Sequence, residues 1–228
     1  MYEDPPLLTI KRNRRRPSDA QIAAMQGVPS AVASDAMEGA GALDGRIAHV
    51  IGDQHVVGPA LTAWSGAADL LALLACKRFF RNGDVVIAAV VGHLGCAAFG
   101  DSLGGMVANA GAAAIVTDGP LRDLAGFFGI TLSVWATGTI SSTPYENGPG
   151  RVGLPVQIGG QQIDTGDMII ADMDGVVVVP FAQIDTVIER SKAILKMEAD
   201  GDKAVKDGLV MPQSYDDLLD SDRVKWVD

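Results

Sequence analysis

The chain has 228 residues, 48% of them hydrophobic but only 5% aromatic, and a formal net charge of −10. That length suits one sizeable domain with a core of Val, Ala, Leu and Ile, and the acidic balance argues against a nucleic-acid partner because it repels phosphate backbones. No apolar run approaches the roughly 20 residues of a membrane span, and the start, Met1-Tyr2-Glu3-Asp4-Pro5-Pro6, has no apolar stretch behind a basic segment, so no membrane association and a cytoplasmic location are expected.

Residues 1–17 read as an N-terminal arm. Its basic run, 11–16, is expected to be solvated or to meet a neighbouring subunit. Ser18-Asp19-Ala20-Gln21 has the form of a capping box, and Ser30 is placed to cap a second short helix through residue 38. A strand is predicted over 56–64, with Gly58-Pro59 marking an edge or bulge, then a helix over 67–80 and a buried strand over 84–91. Residues 106–110 read as helix, in a segment opening at Asp101, and 112–116 as strand; a short helix over 121–128 and a strand over 132–137 follow. Beyond the Ser/Pro/Gly-rich loop 141–150 come strand-like runs at 154–158, 161–163, 168–171 and 176–180. Gly159-Gly160 and Asp174-Gly175 suit the hairpin turns between them. A long helix over 181–205 ends near Gly208, and residues 209–228 form an acidic tail.

Strand and helix alternate in the first two-thirds, and hairpins dominate the last third. The fold class is therefore α/β, one domain over 18–208 with mixed sheets covered by helices rather than a purely parallel open sheet. Cys76 and Cys96 lie in apolar segments without a CxxC pattern and read as two structural thiols.

The chemistry concentrates in two segments: Phe99-Gly100-Asp101-Ser102-Leu103-Gly104-Gly105 and Thr117-Asp118-Gly119-Pro120-Leu121-Arg122-Asp123. One opens a helix and the other closes a strand, so both are expected to face a common pocket. They would bring to it Asp101, Asp118, Asp123, the Arg122 guanidinium and the N–H groups at the helix start, Ser102 and Leu103. Taken singly, Asp101 as a helix cap and Arg122-Asp123 as a solvated pair are sufficient accounts; the combination points to function. No G-x-G-x-x-G follows the early strand and there is no Walker lysine. His49, His55 and His93 lack ligand-like spacing, and of these only His93 falls near the proposed pocket. Ser102 has no recognisable base partner, and no lysine sits in an apolar strand. Elimination leaves an oxygen-ligated Mg²⁺ or Mn²⁺ with an arginine anion clamp, a set suited to a 2-keto acid whose reaction creates an enolate.

At these residues the chain resembles a known family. The helix start at Gly100-Asp101, the Asp118-Gly119…Arg122-Asp123 loop, Asn147-Gly148-Pro149-Gly150, Gly166-Asp167 and the run from Asp172 to Pro180 are similar in order and spacing. The group is that of the regulator of ribonuclease activity A and the class II 4-hydroxy-4-methyl-2-oxoglutarate / 4-carboxy-4-hydroxy-2-oxoadipate aldolases, and the likeness covers most of 18–208. It implies a β/β/α domain like the swivelling phosphohistidine type, and a homotrimer, sometimes stacked into hexamers, with sites between subunits. It also implies metal-dependent retro-aldol cleavage of a 4-hydroxy-2-keto (di/tri)carboxylic acid to pyruvate and a second keto acid, with oxaloacetate decarboxylation through the same enolate. Carried over residue by residue, Asp123 ligates the metal and Arg122 holds pyruvate. Asp101 orients a metal-bound water, the Ser102 and Leu103 amides hold the pyruvate carboxylate, and a glutamate from a neighbouring subunit joins, Glu198 or alternatively Glu189. Ser102-Leu103 stands where the aldolases often have two leucines. The alternative the resemblance leaves open is a non-catalytic trimer that binds and restrains a ribonuclease; that branch lacks the complete acidic set present here. Some members carry a menaquinone methyltransferase label, for which this chain shows no glycine-rich adenosylmethionine motif.

Overall fold

The structure is a computed structural model and describes residues 4–227. Among these residues no helix is long and apolar enough to cross a membrane. The chain divides into a unit ending at Ser191 and a second unit from Lys192 onward.

In the first unit, β1 (Leu8–Ile10), β2 (Ala48–Ile51), β3 (Val56–Ser65), β4 (Val85–Ala89), β5 (Ala114–Thr117), β6 (Ser133–Ala136), β7 (Gly150–Val152), β10 (Met168–Ala171) and β11 (Val176–Val179) form one mixed sheet. The strands β8 (Val156–Ile158) and β9 (Gln161–Ile163) make a separate antiparallel hairpin. β3, β4, β5 and β6 run parallel side by side, and β2 closes against β6 in the antiparallel sense. β3 changes partner along its length: Val56–Pro59 pairs with β10 and Ala60–Trp64 with β4. Pro59 has no N–H to give a ladder, so it suits the handover. A Cβ at Gly58 would strike the Gly83 carbonyl, which explains glycine there.

The central strands are buried on both faces, hence their unbroken apolar runs. Their side chains alternate between two cores. Val86, Ala88, Ile115 and Val134 face helices α3 (Leu71–Cys76) and α4 (Asp101–Asn109), while Val85, Ile87, Ala114, Val116 and Trp135 face the hairpin strands. Cys76 and Cys96 are buried and unpaired, as expected of structural thiols.

Several elements differ from their expected bounds. The helix predicted over 67–80 is confined to α3, followed by a 3₁₀ turn at Lys77–Phe79, and the short helix over 121–128 is a 3₁₀ turn at Leu124–Phe127. Strands β1, β2 and β7 were not foreseen. α1 (Asp19–Met25) opens with the expected box: the Ser18 hydroxyl accepts the Gln21 N–H at 3.2 Å, and Gln21 Oε1 accepts the Ser18 N–H at 2.9 Å. Ser30, by contrast, is the first helical residue of α2 (Ser30–Asp35), not its cap. Its N–H and hydroxyl both donate to the Asp172 carboxylate at 2.6 Å, so a distant acid satisfies that helix end.

The basic arm also departs from expectation, because its arginines pair within the chain. Arg16 pairs with Asp84, which is 3% exposed, and Arg15 Nη2 reaches Asp167 and Asp164 at 3.1 Å each. Arg14 donates to the Phe79 carbonyl at 2.5 Å. Removing one partner of such a half-buried pair strands the other charge, at a cost of about 3 kcal/mol. The arm is thus stitched to the body by the acids it would otherwise leave buried and uncompensated.

α5 (Ile184–Lys206) contributes Ile184, Val187, Ile188 and Ser191 to the interior of the first unit, the i, i+3, i+4, i+7 stripe of a one-sided helix. The second unit holds the rest of α5 and α6 (Gln213–Leu219).

Candidate active site

The carboxyl ends of parallel β4, β5 and β6 lead into loops that short pairings tie together. Leu121 bridges Phe99 on one side and Thr139 on the other; its N–H donates to the Gly138 carbonyl at 2.8 Å, and the Arg122 N–H donates to the Phe99 carbonyl at 3.2 Å. This crossing of backbone, at the end of a parallel sheet where ligand crevices form, sets Gly100-Asp101 beside Arg122-Asp123. Gly100 permits the close approach: a Cβ there would lie 2.6 Å from Asp123 Oδ2 and 3.1 Å from Arg122 Cγ.

A cavity of about 200 Å³ opens at this point. Gly100, Asp101, Ser102, Leu103 and Met106 of the α4 segment form one wall, with Arg122 and Asp123 beside them. Leu70 and Leu74 of the α3 segment, with Thr143, Pro144 and Glu146 of the following loop, form the rest. Asp101, Ser102, Leu103, Arg122 and Asp123, all singled out from the sequence, therefore line one cavity. Glu198 is exposed on α5 in the second unit, and Glu189 lies on the same helix in the first.

Asp123 occupies the left-handed region (φ 60°, ψ 40°), which acidic residues tolerate better than most. Its Oδ2 lies 2.9 Å from Arg122 Nε, while the terminal guanidinium nitrogens make no hydrogen bond among the described residues. The fork is held by one edge and open on the other. Asp101 is the first residue of α4 and half-buried, and its Oδ1 accepts the Ser102 N–H at 2.6 Å. Gly126 makes room for it, since a Cβ there would land on the Asp101 carboxylate. Of the two amides expected to receive an anion, that of Ser102 is thus already engaged by Asp101. That of Leu103 is a donor of the first helical turn, with no partner within the helix.

Asp118 does not join this cavity, contrary to the sequence reading. Its carboxylate accepts the Val90 and Gly92 N–H groups at 2.7 Å each and holds the loop after β4. Burial raises its pKa against the lowering effect of those two bonds. His93 lies beside Gly95 and does not line the cavity either.

Two acids, Asp69 and the cavity-lining Glu146, escaped the sequence reading. Asp69, 5% exposed, accepts the Leu71 N–H at 2.9 Å on Oδ1 and the Asn147 and Gly148 N–H groups at 2.6 and 2.9 Å on Oδ2. It fastens the loop carrying Glu146 to the start of α3. An acid two residues before an apolar helix was the available signal, hidden by placing Asp69 inside the helix. Replacing Asp69 with Ala leaves three donors without their charged acceptor, and chemical denaturation is expected to show a loss of about 3 kcal/mol. Unchanged stability would contradict this anchoring role.

Among the described residues, no three His, Cys, Asp or Glu side chains stand close enough to share a metal ion. Of the carboxylates lining the cavity, those of Asp101 and Asp123 belong to the two segments that meet at Gly100 and are the candidate donors. That suits Mg²⁺ or Mn²⁺, which keep several waters and need only one or two protein carboxylates. The charge also fits: among the described residues of one chain the lining carries three carboxylates beside the Arg122 guanidinium, a balance that favours a cation there.

The family model described as RraA-like, Aldolase/RraA, matches residues 30–178. The chain belongs to the RraA-like family. A relative from Halalkalibacterium halodurans, provisionally named a 4-hydroxy-4-methyl-2-oxoglutarate aldolase, is 30% identical over 197 residues, covering 85% of this chain and 92% of the relative. Among solved structures, an uncharacterised protein of Pseudomonas syringae pv. tomato superposes with a TM-score of 0.75 at 23% identity, over 88% of this chain and 94% of its own. Streptomyces coelicolor RraAS2, described as an unusual member of the RNase ES inhibitor RraA protein family, superposes with a TM-score of 0.72 at 25% identity, over 83% of this chain and 100% of its own. The mixed α/β architecture is thus that of RraA-like proteins.

Proposed function

We propose that this RraA-like chain is a divalent-metal-dependent lyase that cleaves a 4-hydroxy-2-keto acid to pyruvate and a carbonyl product, and decarboxylates oxaloacetate through the same enolate. The observation that carries this reading is the meeting of Asp101, Arg122, Asp123 and the start of α4 in one cavity. The name of the Halalkalibacterium halodurans relative supports the reaction class.

In the cleavage, the C3–C4 bond breaks and its electron pair passes into the C2 carbonyl, giving the enolate of pyruvate. The C4 hydroxyl loses its proton, C4 becomes a carbonyl, and C3 is protonated. Arg122 presents its open terminal N–H groups to the oxygen on which charge develops, where fixed donors stabilise the transition state most. The Leu103 N–H, with the partial positive charge of the helix start, receives the substrate carboxylate. Asp123 and Asp101 would hold Mg²⁺ or Mn²⁺, which supplies Lewis-acid stabilisation of the enolate charge. Asp101 also orients the water that accepts the C4 hydroxyl proton, and Glu198 from a second copy of the chain joins it in a homotrimer or hexamer.

Decarboxylation releases CO₂ without removing a proton from the substrate, whereas aldol cleavage needs a base. Asp101→Asn is therefore expected to slow aldol cleavage about tenfold more than oxaloacetate decarboxylation, relative to wild type, because positioned proton transfer is worth at least that much. Equal losses in the two rates would contradict the proton-handling role.

A second reading, a protein that binds and restrains a ribonuclease, draws on the likeness to Streptomyces coelicolor RraAS2. It gives the cavity-lining carboxylates and guanidinium no task, and a protein of that kind would release no pyruvate from any 2-keto acid.

A further inference from the structure

The cavity is built from two sets of segments, and one buried acid outside the lining joins the second set together. Arg122, Asp123 and the α4 residues form the part assigned above to the pyruvate unit. Leu70 and Leu74 of the α3 segment, with Thr143, Pro144 and Glu146 of the loop after β6, form the rest. That loop is fastened at both ends. At its start the Ile140 N–H donates to the carbonyl of Leu121, the residue before Arg122, at 2.8 Å, and the Ser142 carbonyl accepts the Ala97 N–H at 3.0 Å. At its end the Tyr145 N–H donates to the Ala68 carbonyl at 2.7 Å, and the Leu70 N–H donates to the Tyr145 carbonyl at 2.9 Å. There Asp69 Oδ2 also accepts the Asn147 and Gly148 N–H groups, while its Oδ1 accepts that of Leu71. One carboxylate thus holds both segments. The fit is close: a Cβ on Gly148, at φ 72°, would lie 2.9 Å from Leu71 Cδ2 and from the Leu7 carbonyl oxygen. Ala68, which supplies the acceptor for Tyr145, sits in the left-handed region at φ 60°, a conformation an alanine keeps only where its surroundings hold it. Asp69 itself does not line the cavity.

A 2-keto acid longer than pyruvate must place its fourth carbon, and whatever follows, against the part of the lining that the pyruvate unit leaves free. Resting on the function proposed above, we propose that Asp69 is a positioning residue for that part of the substrate. It sets the spacing between the α3 segment and the 143–146 loop, and so fixes the wall that meets the substrate beyond its pyruvate unit. A charged acceptor shared by three amides makes a stiff joint, and a wall held in advance spares the substrate the entropy of ordering it. The joint is complete within one chain, so residues from a second copy can extend the wall without replacing its anchor. Pyruvate alone, held by Arg122 and the Leu103 N–H, does not depend on it.

The test is isothermal titration of the full chain, in Mg²⁺, with pyruvate and with 2-oxoglutarate, which extends pyruvate by two carbons and, lacking the 4-hydroxyl, undergoes no aldol cleavage. Wild type is expected to bind 2-oxoglutarate the more tightly. The first variant is Asp69→Ser. Serine keeps an oxygen acceptor for the amide two residues on, as aspartate does in local turns, but has no second oxygen to reach Asn147 and Gly148. It is expected to bind 2-oxoglutarate about tenfold more weakly, the worth of about one lost contact, with its affinity for pyruvate unchanged. A merely structural role would weaken both acids alike. Gly148→Ala crowds the same joint from the loop side with Asp69 intact, so it should show the same selective loss, and it decides the matter if Asp69→Ser does not fold. Equal weakening of the two acids, an unchanged affinity for 2-oxoglutarate, or wild type binding 2-oxoglutarate no more tightly than pyruvate would overturn the proposal. Absence of binding of either acid to wild type would instead overturn the 2-keto acid reading on which it rests, and the proposal with it.

Discussion

Asp123→Ala is expected to lower pyruvate release by about 10³-fold, and added Mg²⁺ should not restore it, because losing the Lewis acid forfeits about 4 kcal/mol of enolate stabilisation. The reason lies in the donor set. Asp101 remains on that wall with its Oδ1 already accepting the Ser102 N–H, and a single half-engaged carboxylate is a poor holder of a divalent cation. The side chain is 47% exposed and its ion pair with Arg122 lies at the surface of the cavity, so the fold should survive the change. An unaltered far-ultraviolet spectrum and melting temperature, alongside lost turnover and lost Mn²⁺ binding, is the expected pattern. A variant turning over at wild-type rate in saturating Mg²⁺ would remove Asp123 from the site.

Arg122→Lys is the second large effect. Lysine keeps the charge but not the planar fork, so it cannot at once hold the Asp123 carboxylate by one edge and present two terminal donors to the substrate. The loss should be about 2 kcal/mol, or about 30-fold in kcat/KM, less than for a fully enclosed oxyanion donor because the side chain is 35% exposed. The loss should fall on kcat as well as KM, since the interaction strengthens as charge develops. If lysine serves as well as arginine, the fork geometry has no part in the reaction.

The legible part of the fold was the part governed by local pattern. The unbroken apolar run at β4, the Gly159-Gly160 turn between β8 and β9, the Asp174-Gly175 turn between β10 and β11, and the Ser18–Gln21 box all declare themselves in short stretches of sequence. β1, β2 and β7 do not, because they are three or four residues long and exist only through partners far along the chain. The same division holds at the site. Gly100-Asp101 and Arg122-Asp123 could be paired because a helix start and a strand end in one parallel unit point the same way. Asp118 could not be separated from them on spacing alone, since its task is to accept two backbone amides of a different loop. The wall carrying Glu146 was invisible for a related reason: it depends on Asp69 reaching 78 residues ahead to grip Asn147.

The central claim is that one cavity performs metal-dependent enolate chemistry on a 2-keto acid. Its most direct test is continuous measurement of pyruvate release by the wild-type chain from 4-hydroxy-4-methyl-2-oxoglutarate and from oxaloacetate, first with Mg²⁺, then with chelator in excess, then with Mg²⁺ restored. The account predicts turnover that disappears on chelation and returns with the metal. Release that continues undiminished in chelator, or no release under any of the three conditions, would contradict it.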